Sequence, residues 1–245
     1  MDSIAVLHSH SNVSDGMVTP TQMVKDAAEA GVQVLALTDH DTLSGISEAK
    51  KAGKRFGVEI VIGEEIQTAV PRGLHIIGLF LKEKIPHNKP VLETIEIIHA
   101  QLGLAIIPHP FGRFFGRVPM PTASIQQKDL LNILKHTYVD GIEMQYPNLT
   151  SPSKSKLENF YKHNSTRLGA QIGSADSHFG SKDLLTNYTL FPGKTAQDLY
   201  FAIKNRKTRA VSGTSLPIAK KDLILQNLKS LVVMSAKRYL PFVEY

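Results

Sequence analysis

Short apolar runs, each ending in a packet of His and carboxylate residues, recur along this chain and constrain its fold more than any other feature. The runs are Ile4-Ala5-Val6-Leu7, Val34-Leu35-Ala36-Leu37, Ile60-Val61-Ile62 and Leu104-Ala105-Ile106-Ile107. The packets are His8-Ser9-His10, Ser14-Asp15-Gly16, Thr38-Asp39-His40-Asp41, Gly63-Glu64-Glu65, His75, Pro108-His109-Pro110 and Asp176-Ser177-His178. Continuous apolar runs between helical segments are the pattern of strands in a parallel sheet covered on both faces. Ligand-type side chains at the C-terminal ends of such strands are how an α/β barrel builds an active site on one rim. The chain has no Cys. That excludes a disulfide scaffold and a thiolate zinc knot, and turns attention to a catalytic His/carboxylate cluster.

The segments between the runs read as helices. Thr19 caps one with Pro20 in its first turn, stopping at Gly31, and a second spans 44–56 with Gly57 closing it. Val91, Ile95, Ile98 and Leu102 recur at the spacing of one buried helical face over 91–102. Shorter helices are expected at 130–134, 153–162 and 198–204, and further strands at 75–80, 141–144, 170–173 and 210–211. The alternation gives about seven barrel strands with irregular closure. Residues 1–215 are expected to form the barrel, and 216–245 an extension of undefined role packed against it.

His8 and His10, two apart, face the same way on an extended chain, and Asp176 and His178 repeat that geometry. His109 between prolines is either a core histidine or a ligand, and its place after a strand favours the ligand. Neighbouring side chains alternate sides, so in Asp39-His40-Asp41 the metal falls to His40. Asp39 or Asp41 is then expected to orient an imidazole through its free ring nitrogen. Only one of Glu64 and Glu65 can face inward. Asp15 lies in a Ser-Asp-Gly tripeptide, whose commoner role is that of a turn. Ser177 reads as a small residue facing away from the metals.

The ordered series resembles the PHP (polymerase and histidinol phosphatase) superfamily over about Ile4 to Val211. The resemblance implies a distorted TIM-like (β/α)7 barrel with two or three divalent metals (Mn, Zn or Fe) at the C-terminal rim. It further implies one metal on His8, His10, Glu65 and Asp176, a second on Glu65, His75 and His109, and a third on Asp15, His40 and His178. Asp15, His40, Glu65 and His178 are thereby placed among the catalytic groups. Val6 departs from the pattern, since many relatives carry an acid just before the His-x-His packet.

Clustered divalent ions lower the pKa of bound water and neutralise phosphoryl oxygens. The expected reaction is therefore phosphomonoester hydrolysis by metal-bound hydroxide, on a small metabolite or a nucleotide. The alternatives are an exonuclease trimming RNA or DNA ends, and a non-catalytic metal-binding regulatory domain. Arg113 and Arg117, in the loop after His109, read as substrate-phosphate ligands or as surface arginines. Phe111, Phe114 and Phe115 read as loop packing, with nucleobase stacking the lesser role. A formal charge of +6 suits anionic ligands. The N-terminus lacks the pattern of a signal peptide and no apolar stretch is of bilayer length, so a cytoplasmic protein without membrane contact is expected.

Overall fold

The computed structural model describes residues 2–69, 74–111 and 124–239. Among the described residues the strands are β1 (Asp2–Val6), β2 (Val34–Leu37), β3 (Glu59–Gln67), β4 (His75–Leu79), β5 (Leu104–Ile107), β6 (Gly141–Gln145), β7 (Ala170–Gly173), β8 (Asn187–Pro192) and β9 (Arg209–Ser212). The helices are α1 (Pro20–Glu29), α2 (Ile46–Phe56), α3 (Val91–Ala100), α4 (Gln127–His136), α5 (Ser151–Leu168), α6 (Ala196–Lys204) and α7 (Lys220–Tyr239). The strands form one sheet in the order β7-β6-β5-β4-β3-β2-β1-β8-β9.

The expected α/β barrel is what forms, but its sheet is not wholly parallel. β4 is antiparallel to both β3 and β5, and β8 is antiparallel to β1 and β9. The cause is the connection: β3 and β4 are separated by residues 68–74 alone, too few for the helical crossover a parallel pair needs. β3 also runs well past the expected Ile62, to Gln67. The remaining seven strands share one direction, so their C-terminal ends open on one rim.

The barrel closes through side chains. Thr189 Oγ1 on β8 accepts from Gly173 N at 3.0 Å and donates to Gly173 O at 2.9 Å. Thr208 Oγ1 donates to Gln171 O at 2.7 Å. Gly173 is required at this seam, because a Cβ there would run into the carbonyl oxygen of Tyr188.

Alternate strand residues divide the core. Ala5, Leu7, Val34, Ala36, Ile77 and Ile106 point inward and meet Leu199 and Ile203 of α6, which plugs the bottom of the barrel. Val6, Leu35 and Leu37 point outward onto α1 and α2, and Ala105, Ile107 and Ile142 pack with residues of α3, α4 and α5. Each buried aliphatic side chain contributes about 1.5–3 kcal/mol. Local signals set the helix ends as expected: Thr19 accepts from Gln22 N, and Gly57 takes the left-handed conformation with φ 76°.

Candidate metal centre

Period-2 geometry and one cross-chain bridge build the heart of the site. Ser9 pairs with Ser177 in a parallel bridge, so His8 and His10 lie beside Asp176 and His178, all four turned to the rim. Ser9 Oγ donates to Ala36 O at 2.8 Å and Ser177 Oγ to Asp183 Oδ1 at 2.5 Å, so both serines face away from the cluster. Glu65 comes from the long β3. Its neighbour Glu64 points the other way and accepts from Ile85 N at 2.9 Å. His75 is the first residue of β4 and stands opposite Gln67. Because β4 runs in reverse, its N-terminal end lies on the rim where the seven co-directional strands end.

Glu65 is the hub. Its Oε1 lies 2.9 Å from His75 Nδ1 and 3.2 Å from His109 Nε2. Its Oε2 lies 3.1, 3.2 and 3.3 Å from His8 Nε2, His10 Nε2 and His40 Nδ1. Asp176 Oδ1 is 3.3 Å from both His8 Nε2 and His10 Nε2, and Asp15 Oδ2 is 3.3 Å from His178 Nε2. All nine expected ligand residues, His8, His10, Asp15, His40, Glu65, His75, His109, Asp176 and His178, fall in overlapping triplets whose donor atoms lie within 4.8 Å of one another. The triplets cross the expected grouping, with His10 joining Asp15 and His40, and His40 joining Glu65 and His75.

The Ser14-Asp15-Gly16 turn and the site turn out to be one feature. Asp15 is fully buried in the cluster, while Gly16 N closes the turn onto Ser11 O at 2.8 Å. Only glycine fits at position 16, since a Cβ would collide with the His10 carbonyl. Asp39 does not orient an imidazole. Its oxygens accept from Ser11 N, Ser11 Oγ and Ser14 Oγ at 2.6–2.8 Å and fix the loop that carries Asp15. Asp41 Oδ1 accepts from Gln67 N at 2.8 Å, tying this packet to the end of β3.

One carboxylate escaped the sequence reading. Glu143 on β6 is fully buried. It takes His8 Nδ1 at 2.9 Å on Oε1 and the backbone N–H of His109 at 2.6 Å on Oε2. It thus takes the His8 proton on Nδ1 and turns Nε2 to the cluster, the arrangement in which Nε2 would be offered to a metal. Asp183 holds the other end, accepting from Ser177 Oγ and from the N–H groups of His178 and Phe179. Burial raises its pKa.

The electrostatics call for cations. Burial opposes ionisation of Glu65 and Asp15, yet the surrounding imidazoles hold both well below the usual carboxylate range. Burial likewise opposes protonation of His10, but hydrogen bonds to Asp176 and Glu65 and the charge of Asp15 raise it to about 10. His40 goes the other way, to about 3, because burial and the charges of His10 and His75 outweigh Glu65 and Asp15. His10 Nδ1 is buried without a hydrogen-bond partner. Converging nitrogen and oxygen lone pairs around three carboxylates suit borderline divalent ions, and no thiolate competes. The residues fit a cluster of divalent metals.

Arg113, Arg117, Phe114 and Phe115 lie outside the described residues. Phe111 packs edge-on against Phe160 with ring centroids 5.4 Å apart, as loop packing. Among the described residues no helix is long and apolar enough to cross a membrane.

A family model, the PHP domain, matches residues 6–189. A 5'-3' exoribonuclease of Haemophilus influenzae is 42% identical over 101 residues, 41% of this chain and 37% of that protein. A 3',5'-nucleoside bisphosphate phosphatase of Chromobacterium violaceum is 43% identical over 90 residues, 36% of this chain and 32% of that protein. The matched stretch therefore spans about a third of the length of these relatives. A two-domain protein from Bacteroides vulgatus, described as containing a predicted PHP-like metal-dependent phosphoesterase, superposes with a TM-score of 0.71 at 19% identity. That match covers 94% of this chain and 70% of that one, and the shared fold is what it conveys.

Proposed function

The chain belongs to the PHP domain family, and from that premise we propose that it is a metal-dependent hydrolase of phosphoester bonds. The observation that carries the proposal is the convergence of six imidazoles and three carboxylates at the rim, five of the imidazoles on Glu65. His8, His10, Asp15, His40, Glu65, His75, His109, Asp176 and His178 would hold two or three divalent ions, of manganese, zinc or iron. Such ions lower the pKa of water and neutralise phosphoryl oxygens under attack.

The protein's own groups prepare that chemistry. Glu143 keeps the His8 proton on Nδ1. The Asp176 carbonyl does the same for His178, taking Nδ1 at 2.8 Å and leaving Nε2 for the cluster. Glu65 and Asp15 stay ionised despite their burial, so the ligand set would meet a metal cation already charged. In this reading Asp15, His40, Glu65 and His178 touch the reacting centre, and Arg113 and Arg117 bind substrate phosphate.

The substrate we favour is a phosphomonoester, a small metabolite or a nucleotide. The name of the Chromobacterium relative, a nucleoside bisphosphate phosphatase, supports that choice. The Haemophilus exoribonuclease supports the second reading, trimming of nucleic-acid ends. Salt separates the two, because a polyanion releases counterions on binding and loses affinity steeply as salt rises.

The test is purification without chelators, metal quantification, and phosphate release from a panel of phosphomonoesters, nucleotides and short RNA with added manganese. Wild type is compared with His8→Ala and Asp176→Ala. Turnover lost in both folded variants is expected. Bound metal with no phosphoester cleaved refutes hydrolysis, and a protein that takes up no metal refutes the whole reading.

A further inference from the structure

The family model stops at residue 189, yet a helix beyond it reaches the cluster. Gln226 Nε2 on α7 donates to Asp15 Oδ2 at 3.5 Å. One turn on, Lys229 Nζ donates to the carbonyls of Gly16 at 2.8 Å and Asn12 at 3.3 Å. Residues three apart share a helix face, so this one face spans the loop that carries Asp15.

The lead-in to α7 grips the opposite bank. Leu216 N donates to Lys182 O at 2.7 Å, and Lys182 Nζ lies 3.7 Å from Asp222 Oδ2. Lys182 ends the short turn after His178. The two banks are themselves joined by Met17 N to His178 O at 2.7 Å. α7 thus fastens the segments that bear Asp15 and His178, whose side chains meet at 3.3 Å.

The chemistry of the contact is specific. Asp15 Oδ1 takes Ser14 Oγ at 3.3 Å and faces His10 Nδ1 at 3.6 Å, while Oδ2 faces His40 and His178. A neutral amide on Oδ2 fixes the carboxylate plane without neutralising it. A cationic side chain in that place would compete with a metal for its charge, and an anionic one would repel it.

We infer that α7 is a working part of the metal centre: Gln226 is a positioning residue that fixes the Asp15 carboxylate, and Lys229 clamps the loop beneath it. The inference rests on the reading of this site as a metal centre.

The full-length protein, stripped of metal, is titrated calorimetrically with Mn²⁺, and its thermal midpoint is taken in the metal-free state. Gln226→Leu removes the donor at similar size, Lys229→Met removes the clamp, and Asn227→Leu changes an exposed neighbour on the same helix. Gln226→Leu is expected to weaken the least tightly held Mn²⁺ by about 10- to 100-fold, the usual effect of losing a group that supports a ligand. Its metal-free midpoint should match wild type, Lys229→Met should shift affinity in the same direction, and Asn227→Leu should shift nothing. Wild-type affinity in Gln226→Leu overturns the role of α7 and leaves the metal centre standing. A wild type that takes up no metal overturns both. If Gln226→Leu melts lower without metal, Lys229→Met decides, and unchanged Mn²⁺ affinity there overturns the inference.

Discussion

Replacing Glu143 by Gln should cost the site a ligand although no ligand is changed. The His109 N–H is a fixed donor, so the Gln carbonyl must take its place at 2.6 Å from that nitrogen. The Gln amide NH2 then faces His8 Nδ1, which today lies 2.9 Å from a carboxylate oxygen. Two donors cannot face each other, so the imidazole must move its proton to Nε2. That is the nitrogen 3.1 Å from Glu65 and 3.3 Å from Asp176, where a metal would need a lone pair. The expected loss is about 10- to 100-fold in metal affinity, or about 1.4–2.8 kcal/mol. Mn²⁺ titration of the stripped protein reads it directly. His8→Ala in the Glu143→Gln background should weaken binding little further, because both changes remove the same interaction. Full metal affinity in Glu143→Gln, or fully additive losses in the double variant, would refute the tautomer argument.

Two further predictions concern the frame. Burial works against ionisation of Asp140, but His99, the Ala105 N–H and Lys204 outweigh it and hold its carboxyl below the usual range. A depressed folded pKa gives stability that is complete above the unfolded value of about 4 and lost as pH falls through the folded one. Asp140→Asn should therefore narrow its stability deficit as pH drops from 6 toward 2 in urea melts, and a deficit constant with pH would contradict this. Gly173→Ala should lower stability by about 1–3 kcal/mol through overpacking. The added methyl meets the Tyr188 backbone at the β7–β8 seam, so an unchanged denaturation midpoint would mean the seam is not closed.

The clustering of the candidate ligands that follow parallel strands was readable because burial and period 2 leave few choices. Apolar runs mark the strands, and a packet past each end must lie at the rim. Glu143 was harder, since it sits inside Gly141-Ile142-Glu143-Met144 and reads as strand. Its signal was thermodynamic: a carboxylate in a fully buried strand has to be paired. Of the two candidates for orienting an imidazole, Asp39 and Asp41, Asp39 holds the Asp15 loop instead, because alternation fixes which side a residue faces, not what waits there. The reversal of β4 and the existence of β8 depend on pairing between distant segments, which local pattern does not carry. Gln226 meets Asp15 across 211 positions, and nothing near either residue announces the other.

The seam between β1 and β8 also governs when this protein can become itself. β1, Asp2–Val6, pairs on one flank with residues 189–192 of β8. The ligand set likewise stretches from His8 to His178. A nascent chain therefore carries His8 and His10 long before Asp176 exists, and β1 keeps that edge open until β8 is synthesised. Long-range pairings of this kind make folding slow and expose unpaired strand edges meanwhile. The candidate metal cluster would therefore be complete only once His178 has been made and β1 has met β8.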